Sequence, residues 1–150
     1  MKEASSIVRV ATEKDESRIF EILCLAEKEN AMFPMDEDKV IAFIRRATLK
    51  DGGIIGIVGE GQAEATVGLI IEQAWYTTSW SLGERWNFVH PDFRKTDHVS
   101  KLIGFSKKCA DELGLPLDIG ILSNIRTEAK IRLYKRHFKF MGAFFSYNHN

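Results

Sequence analysis

The residues best spaced for chemistry lie in one run, Asn87-Phe88-Val89-His90-Pro91-Asp92-Phe93-Arg94-Lys95-Thr96-Asp97-His98-Val99-Ser100-Lys101-Leu102-Ile103. Apolar residues of a strand end at Pro91, a polar and basic loop comes next, and helical spacing begins at Val99. Such a helix start presents backbone N–H groups without intrahelical partners and the positive end of the dipole, which together attract an anion. Arg94, Lys95 and Lys101 surround it with positive charge, and a neutral His98 imidazole could meet a phosphate there. Any strand-to-helix turn has free N–H groups, so the loop reads equally as a plain connection. His90, beside Pro91, reads as a polar strand end rather than a base. Cys24 and Cys109 each sit in an amphipathic helical pattern with no histidine or second cysteine at ligand spacing, so they read as reduced thiols and no metal site is expected.

The 150 residues suit one domain, residues 1–150, large enough to bury a core without disulfide or metal. Apolar residues make up 45% and charged residues 28%, which excludes disorder, collagen and coiled coil. No apolar run reaches the roughly 20 residues of a membrane span. The start, Met1 to Ser6, lacks the apolar region of a signal peptide, and a cytoplasmic protein without a membrane role is expected. The 21 basic and 21 acidic residues cancel, which argues against bulk nucleic-acid binding. The balance is uneven along the chain: residues 1–75 hold 9 basic and 14 acidic residues, residues 76–150 hold 12 and 7. A basic second half favours an anionic small ligand there, or simply basic solvated helix faces.

Hydrophobic periodicity orders the elements. A strand is expected at Ile7–Ala11, then helix 13–29 capped by Thr12, and a second helix from Asp36. Strands come next at Gly53–Glu60, Ala65–Thr77 and Ser81–His90, then the helix from Val99, capped by Gly114. A strand at Pro116–Leu122, a basic helix at Thr127–Phe138 and an aromatic strand at Gly142–Tyr147 complete the chain. The order β-α-α-β-β-β-α-β-α-β predicts a mixed α/β sheet, parallel where 81–122 makes a βαβ crossover. Trp75, Tyr76, Trp80 and Trp86 cluster around the third and fourth strands, as core or as an aromatic wall for a ligand. The aromatic end, Phe138 to Tyr147, could be a homodimer interface.

This order, the corner Val89-His90-Pro91-Asp92-Phe93-Arg94 and Leu133-Tyr134 in the last helix resemble the GNAT (Gcn5-related N-acetyltransferase) superfamily over about residues 7–147. The resemblance implies a single GNAT-like domain whose strands four and five splay apart to admit acetyl-CoA. Phe88, Val89 and His90 would then offer main-chain groups to the pantetheine arm. The loop Arg94, Lys95, Thr96, Asp97, His98 and Val99 would cradle the pyrophosphate, and Tyr134 would act as general acid toward the leaving thiolate. The family's loop reads Arg/Gln-x-x-Gly-x-Gly/Ala, whereas this chain has Arg94, Asp97 and Val99. Asp97 could instead cap the helix by accepting from the N–H of Val99 or Ser100.

The resulting expectation is an N-acetyltransferase. Acetyl-CoA is the co-substrate, and a primary amine of a small molecule or protein attacks directly. Glu84, the one acidic residue on strand four, is the available carboxylate to take the ammonium proton, and it reads equally as a solvated strand residue. Tyr134, with Ile131 and Phe138 at helical spacing, reads alternatively as core. Met32, Phe33 and Met35, in the loop between the first two helices, border the expected acceptor side. The alternative is a catalytically inactive GNAT-fold interaction module that has lost CoA binding with its loop glycines.

Overall fold

The computed structural model describes residues 7–123 and 125–148. Strand β1 spans Arg9–Val10, helix α1 Glu16–Asn30, helix α2 Glu37–Thr48 and strand β2 Gly53–Val58. Strands β3 (Ala65–Gln73) and β4 (Trp80–Val89) lead to helix α3 (His98–Leu113), strand β5 (Leu117–Asp118) and helix α4 (Thr127–Lys135). Local chemistry sets the helix boundaries. The Asp36 carboxylate accepts from the N–H of Lys39 at 3.1 Å and starts α2. Gly114 ends α3 at φ +67°, a conformation that costs glycine little. Thr12 heads a 3₁₀ turn, Glu13–Asp15, that runs into α1, and the Asp15 carboxylate reaches back to the Thr12 N–H at 2.8 Å.

The strands lie in the spatial order β1-β2-β3-β4-β5, antiparallel except for the parallel β4–β5 pair. Helices cover both faces. Ile19, Ile22 and Leu23 of α1 and Ile44 and Ala47 of α2 bury against Ile55, Ile57 and Phe88. On the other face Leu102 and Ala110 of α3 bury against Val58, Val67, Leu69 and Leu82. Strand alternation produces this division, since neighbouring residues such as Ile57 and Val58 enter opposite layers. Cys24 and Cys109 are free and half-buried, and burial pushes both thiols above their usual range.

The mixed sheet and the parallel crossover are present as expected, with one element missing. Residues 142–147 form no strand and lie exposed, with Phe145 at 87% and Tyr147 at 88%. A strand needs a ladder, and β5 offers a two-residue edge to its outer side. The predicted strands at 7–11 and 116–122 shrink to two paired residues each, Arg9–Val10 and Leu117–Asp118. The aromatic group near β4 also divides. Trp86 packs inward, whereas Trp75 and Tyr76 are exposed at 96% and 74%, in edge contact with each other, and Trp80 is exposed over about half its surface. No helix among the described residues is long and apolar enough to cross a membrane.

Candidate active site

Two irregularities of β4 make the site. Pairing with β5 stops at Leu82–Leu117 and Gly83–Asp118, so from Glu84 to Val89 no strand of the described residues lies beside the outer edge of β4. This is the splay between strands four and five. The register with β3 also slips there: Leu69 faces Glu84 while Gly68 faces Trp86, which leaves Arg85 as an extra residue of a β-bulge. The Trp86 indole lies over Gly68, donates to Thr66 Oγ1 at 3.3 Å and meets the Phe43 ring edge-on at 5.6 Å. A Cβ on Gly68 would stand 2.5 Å from that indole. Gly68→Ala is therefore expected to cost about 1–3 kcal/mol by overpacking. Thermal denaturation reads the loss; an unchanged midpoint would mean that Trp86 does not pin the bulge.

The bulge lies between Glu84 and Trp86, where a strand would otherwise alternate its side chains strictly between the two faces. Glu84 is half-buried with its Oε2 sealed from solvent. Burial pushes its carboxyl up to about 7, against the opposing pull of Asn87 and Tyr134 beside it. Among the described residues neither Oε2 nor the Asn87 amide atoms, all sealed from solvent, meet a partner at normal hydrogen-bond geometry, although Asn87 and Tyr134 stand close enough to act on the carboxyl. The Tyr134 hydroxyl is pushed well above its ordinary value, by burial first and then by the Glu84 carboxylate. Its ring leans on Phe138 at 5.9 Å between centroids, and the Lys107 ammonium sits 5.0 Å from the centre of the Phe138 ring. Glu84 and Tyr134, the two residues that the sequence offers as base and acid, thus meet at the open edge of β4.

The loop departs more from its expected role. Arg94 Nε donates to the Val89 carbonyl at 3.1 Å, its Nη2 holds both oxygens of Glu29 at 2.9 and 3.0 Å, and its guanidinium lies over the Phe88 ring. This arginine is committed to the end of α1. Asp97 occupies the N-cap position, yet its side chain caps nothing; it pairs with Lys101 at 3.3 Å. The expected acceptance from Val99 or Ser100 is therefore absent, and no carboxylate of Asp97 sits on those first-turn N–H donors. Thr96 Oγ1 takes the His98 N–H at 3.3 Å and donates to the Phe93 carbonyl at 2.6 Å. Lys95 is in no ion pair among the described residues.

His98 also takes a different position from the expected one. Its ring is buried, with Nε2 2.8 Å from Glu64 Oε1 and one face stacked on Phe93. It anchors α3 to the β2–β3 turn instead of facing a phosphate. His90 is a strand-end residue, as its position beside Pro91 suggests: its Nδ1 accepts from the Asp92 N–H at 3.1 Å. Phe88 is buried on the α1 side, and Val89 packs on the α3 side.

Several residues that shape this region stand outside the set expected from the sequence. Lys130, on α4, donates to Ser123 Oγ at 2.6 Å, and Ser123 in turn donates to Asn30 Oδ1 at 3.1 Å, linking α4 to the end of α1. Burial lowers the Lys130 ammonium below its usual range. Asn87 carries a readable signal, a carboxamide between Trp86 and Phe88 in an otherwise apolar stretch of strand. Glu29 and Glu64 carry none. Among the described residues no group of three or more His, Cys, Asp or Glu is placed to hold a metal.

No family model and no curated protein matches this sequence. Solved structures do match its shape. An acetyltransferase from Trypanosoma brucei superposes with a TM-score of 0.69 at 16% identity, over 94% of this chain and 97% of its own. The aminoglycoside acetyltransferase AAC(6')-Iy, bound to a bisubstrate analogue of CoA and acetylneamine, gives 0.72 at 15% identity over 95% and 97%. A protein described as a transcriptional regulator from Bacillus halodurans C-125 gives 0.70 at 16% identity over 95% and 99%. The chain has the GNAT fold over the 94–95% of its length that these structures cover, and likeness at these identities speaks for the fold alone.

Proposed function

We propose that this protein is an N-acetyltransferase using acetyl-CoA as co-substrate and a primary amine as acceptor. The observation that carries this reading is the pairing of Glu84 and Tyr134 at an open stretch of β4: a sealed carboxyl poised near neutrality beside a hydroxyl that stays protonated. Those are the properties asked of a base and an acid working at neutral pH. The open main chain of residues 84–89 suits the pantetheine arm, with Phe88, Val89 and His90 offering backbone groups. The CoA analogue bound to AAC(6')-Iy supports the choice of donor. The balanced charge argues against nucleic acid as a partner.

In this reading the amine nitrogen bonds to the thioester carbonyl carbon, and the carbonyl electrons move onto oxygen. Backbone N–H groups of β4 stabilise the oxyanion. Glu84 removes the ammonium proton, directly or through a water. The C–S bond then breaks, and Tyr134 gives its proton to the departing thiolate, leaving an N-acetylamine and CoA. Arg94, Lys95, Thr96, Asp97, His98 and Val99 remain the pyrophosphate loop, with duties changed by what they touch. Val99 and Ser100 supply N–H donors, Lys95 supplies the unpaired charge, and Arg94 holds the loop to α1. Asp97 pairs with Lys101 and caps none of the first-turn N–H groups, which leaves those donors open to a phosphate and makes the inactive scaffold the weaker reading. The exposed aromatics from Phe140 to Tyr147 support a homodimer as part of this proposal. Met32, Phe33 and Met35, with Phe33 exposed, remain the proposed acceptor border.

Calorimetric titration with acetyl-CoA tests the reading. Binding in the micromolar range is expected, about 8 kcal/mol of affinity. Silence up to millimolar ligand would retire the chain from acetyl transfer.

A further inference from the structure

Acetyl transfer needs a primary amine, and this chain carries one within a helical turn of its candidate acid. Lys130 and Tyr134 both lie in α4, four residues apart. On a helix that spacing places two side chains on one face, with about 5–6 Å between their Cβ atoms. Tyr134 brings this face to Glu84 at the open edge of β4. Lys130 is half-buried and held in place: its Nζ donates to Ser123 Oγ at 2.6 Å, and Ser123 Oγ donates on to Asn30 Oδ1 at 3.1 Å. Donation through an N–H leaves the nitrogen lone pair uncommitted once the amine is neutral. Burial first, then Arg94 and Arg126 against the pull of Glu29, favours that neutral form.

We propose that Lys130 is a modification site, the amine to which this protein transfers the acetyl group when no other acceptor is present. The inference rests on the acetyl-CoA reading above and names an acceptor within the chain for it. The neutral Nζ bonds to the thioester carbonyl carbon and the carbonyl electrons move onto oxygen. Glu84 takes the extra proton from the nitrogen, directly or through a water. The C–S bond then breaks, Tyr134 gives its proton to the departing thiolate, and the products are an Nε-acetylated Lys130 and CoA.

Incubation of the unaltered protein with acetyl-CoA and no added amine, followed by peptide mass mapping, tests this. Lys130 is expected to be modified at least about tenfold faster than Lys39 or Lys108, which are exposed and react only by random encounter. The rate per molecule should not change with protein concentration, since the transfer stays within one chain. Tyr134→Phe should slow modification of Lys130 by about 10²-fold and leave the background at Lys39 and Lys108 as it was. Lys130→Arg, which keeps the charge, should remove the dominant modification and create no other. Modification of Lys130 no faster than of Lys39 or Lys108, or equally fast without the Tyr134 hydroxyl, overturns the proposal. Calorimetry on the same sample separates this from a failure of the wider reading. Acetyl-CoA bound with Lys130 left unmodified defeats the self-acetylation alone, whereas no binding defeats the acetyl-CoA reading with it.

Discussion

Glu84→Gln is expected to reduce turnover by about 10²–10⁴-fold, the usual worth of a positioned base, and at the same time to stabilise the free protein at alkaline pH. The two effects share one cause. Burial raises the folded-state carboxyl from 4.5 to about 7, so folding favours its protonated form. Below pH 4.5 folded and unfolded chains are both protonated there and nothing is lost. Between 4.5 and about 7 the unfolded chain ionises first, and stability falls as pH rises. Above about 7 the full cost is present, on the order of 3 kcal/mol. Glutamine carries no charge, so the variant should gain most at about pH 8 and nothing at about pH 4. Urea midpoints at about pH 5 and 8 measure this directly. An identical decline in both proteins would assign the titration to another group. For catalysis, kcat/KM with an accepting amine should rise about tenfold per pH unit up to about 7 and then level, and the variant should lack that limb.

The second large effect is expected for Tyr134→Phe. The hydroxyl is held protonated, with burial and then the Glu84 carboxylate both opposing its ionisation. It is therefore available as an acid over the whole working range, and its removal should lower kcat by about 10²-fold or more with little change in KM for acetyl-CoA. The deficit should not vary with pH above about 7, since Tyr134 does not titrate there. The acidic limb should move to higher pH, because the hydroxyl is one of the groups drawing the Glu84 value down. Unchanged turnover would remove Tyr134 from the chemistry; a raised KM with normal kcat would make it a binding residue. Stopped-flow detection of the released thiol, across pH, separates these outcomes.

What the chain reveals of itself depends on the range of the interactions. Helices α1, α2 and α3 are legible because their apolar spacing and end residues, Thr12, Asp36 and Gly114, act within a few positions. Strands β2, β3 and β4 are legible from their apolar and branched runs, bounded by turn residues. Gly142–Tyr147 looks as strand-like as any of them, yet a strand exists only with a partner, and the partner edge at β5 is two residues long. The site divides in the same way. Residue type and resemblance single out Glu84 and Tyr134, but their meeting depends on a crossover no local pattern encodes. Arg94 reads as a phosphate ligand because its partner Glu29 lies 65 positions away, and His98 reads likewise because Glu64 lies 34 away. A long-range side-chain pairing leaves no mark on spacing. Asn87 is the exception, since an amide in the middle of an apolar stretch is a local anomaly.

The unpaired length of β4 has one more consequence, for the behaviour of the protein in a crowded solution. A strand edge with unmet hydrogen-bonding capacity accepts any extended chain that reaches it, whether an intended ligand or the backbone of another protein molecule. Here that edge runs from Glu84 to Phe88, the Val89 carbonyl beyond it being taken by Arg94, and the same chain carries an uncovered aromatic stretch at Phe144–Tyr147 able to supply an intruding strand. A ligand lying along β4 would occupy the place such a strand would take. A small molecule that bound there would then keep this protein from aggregating, quite apart from any reaction.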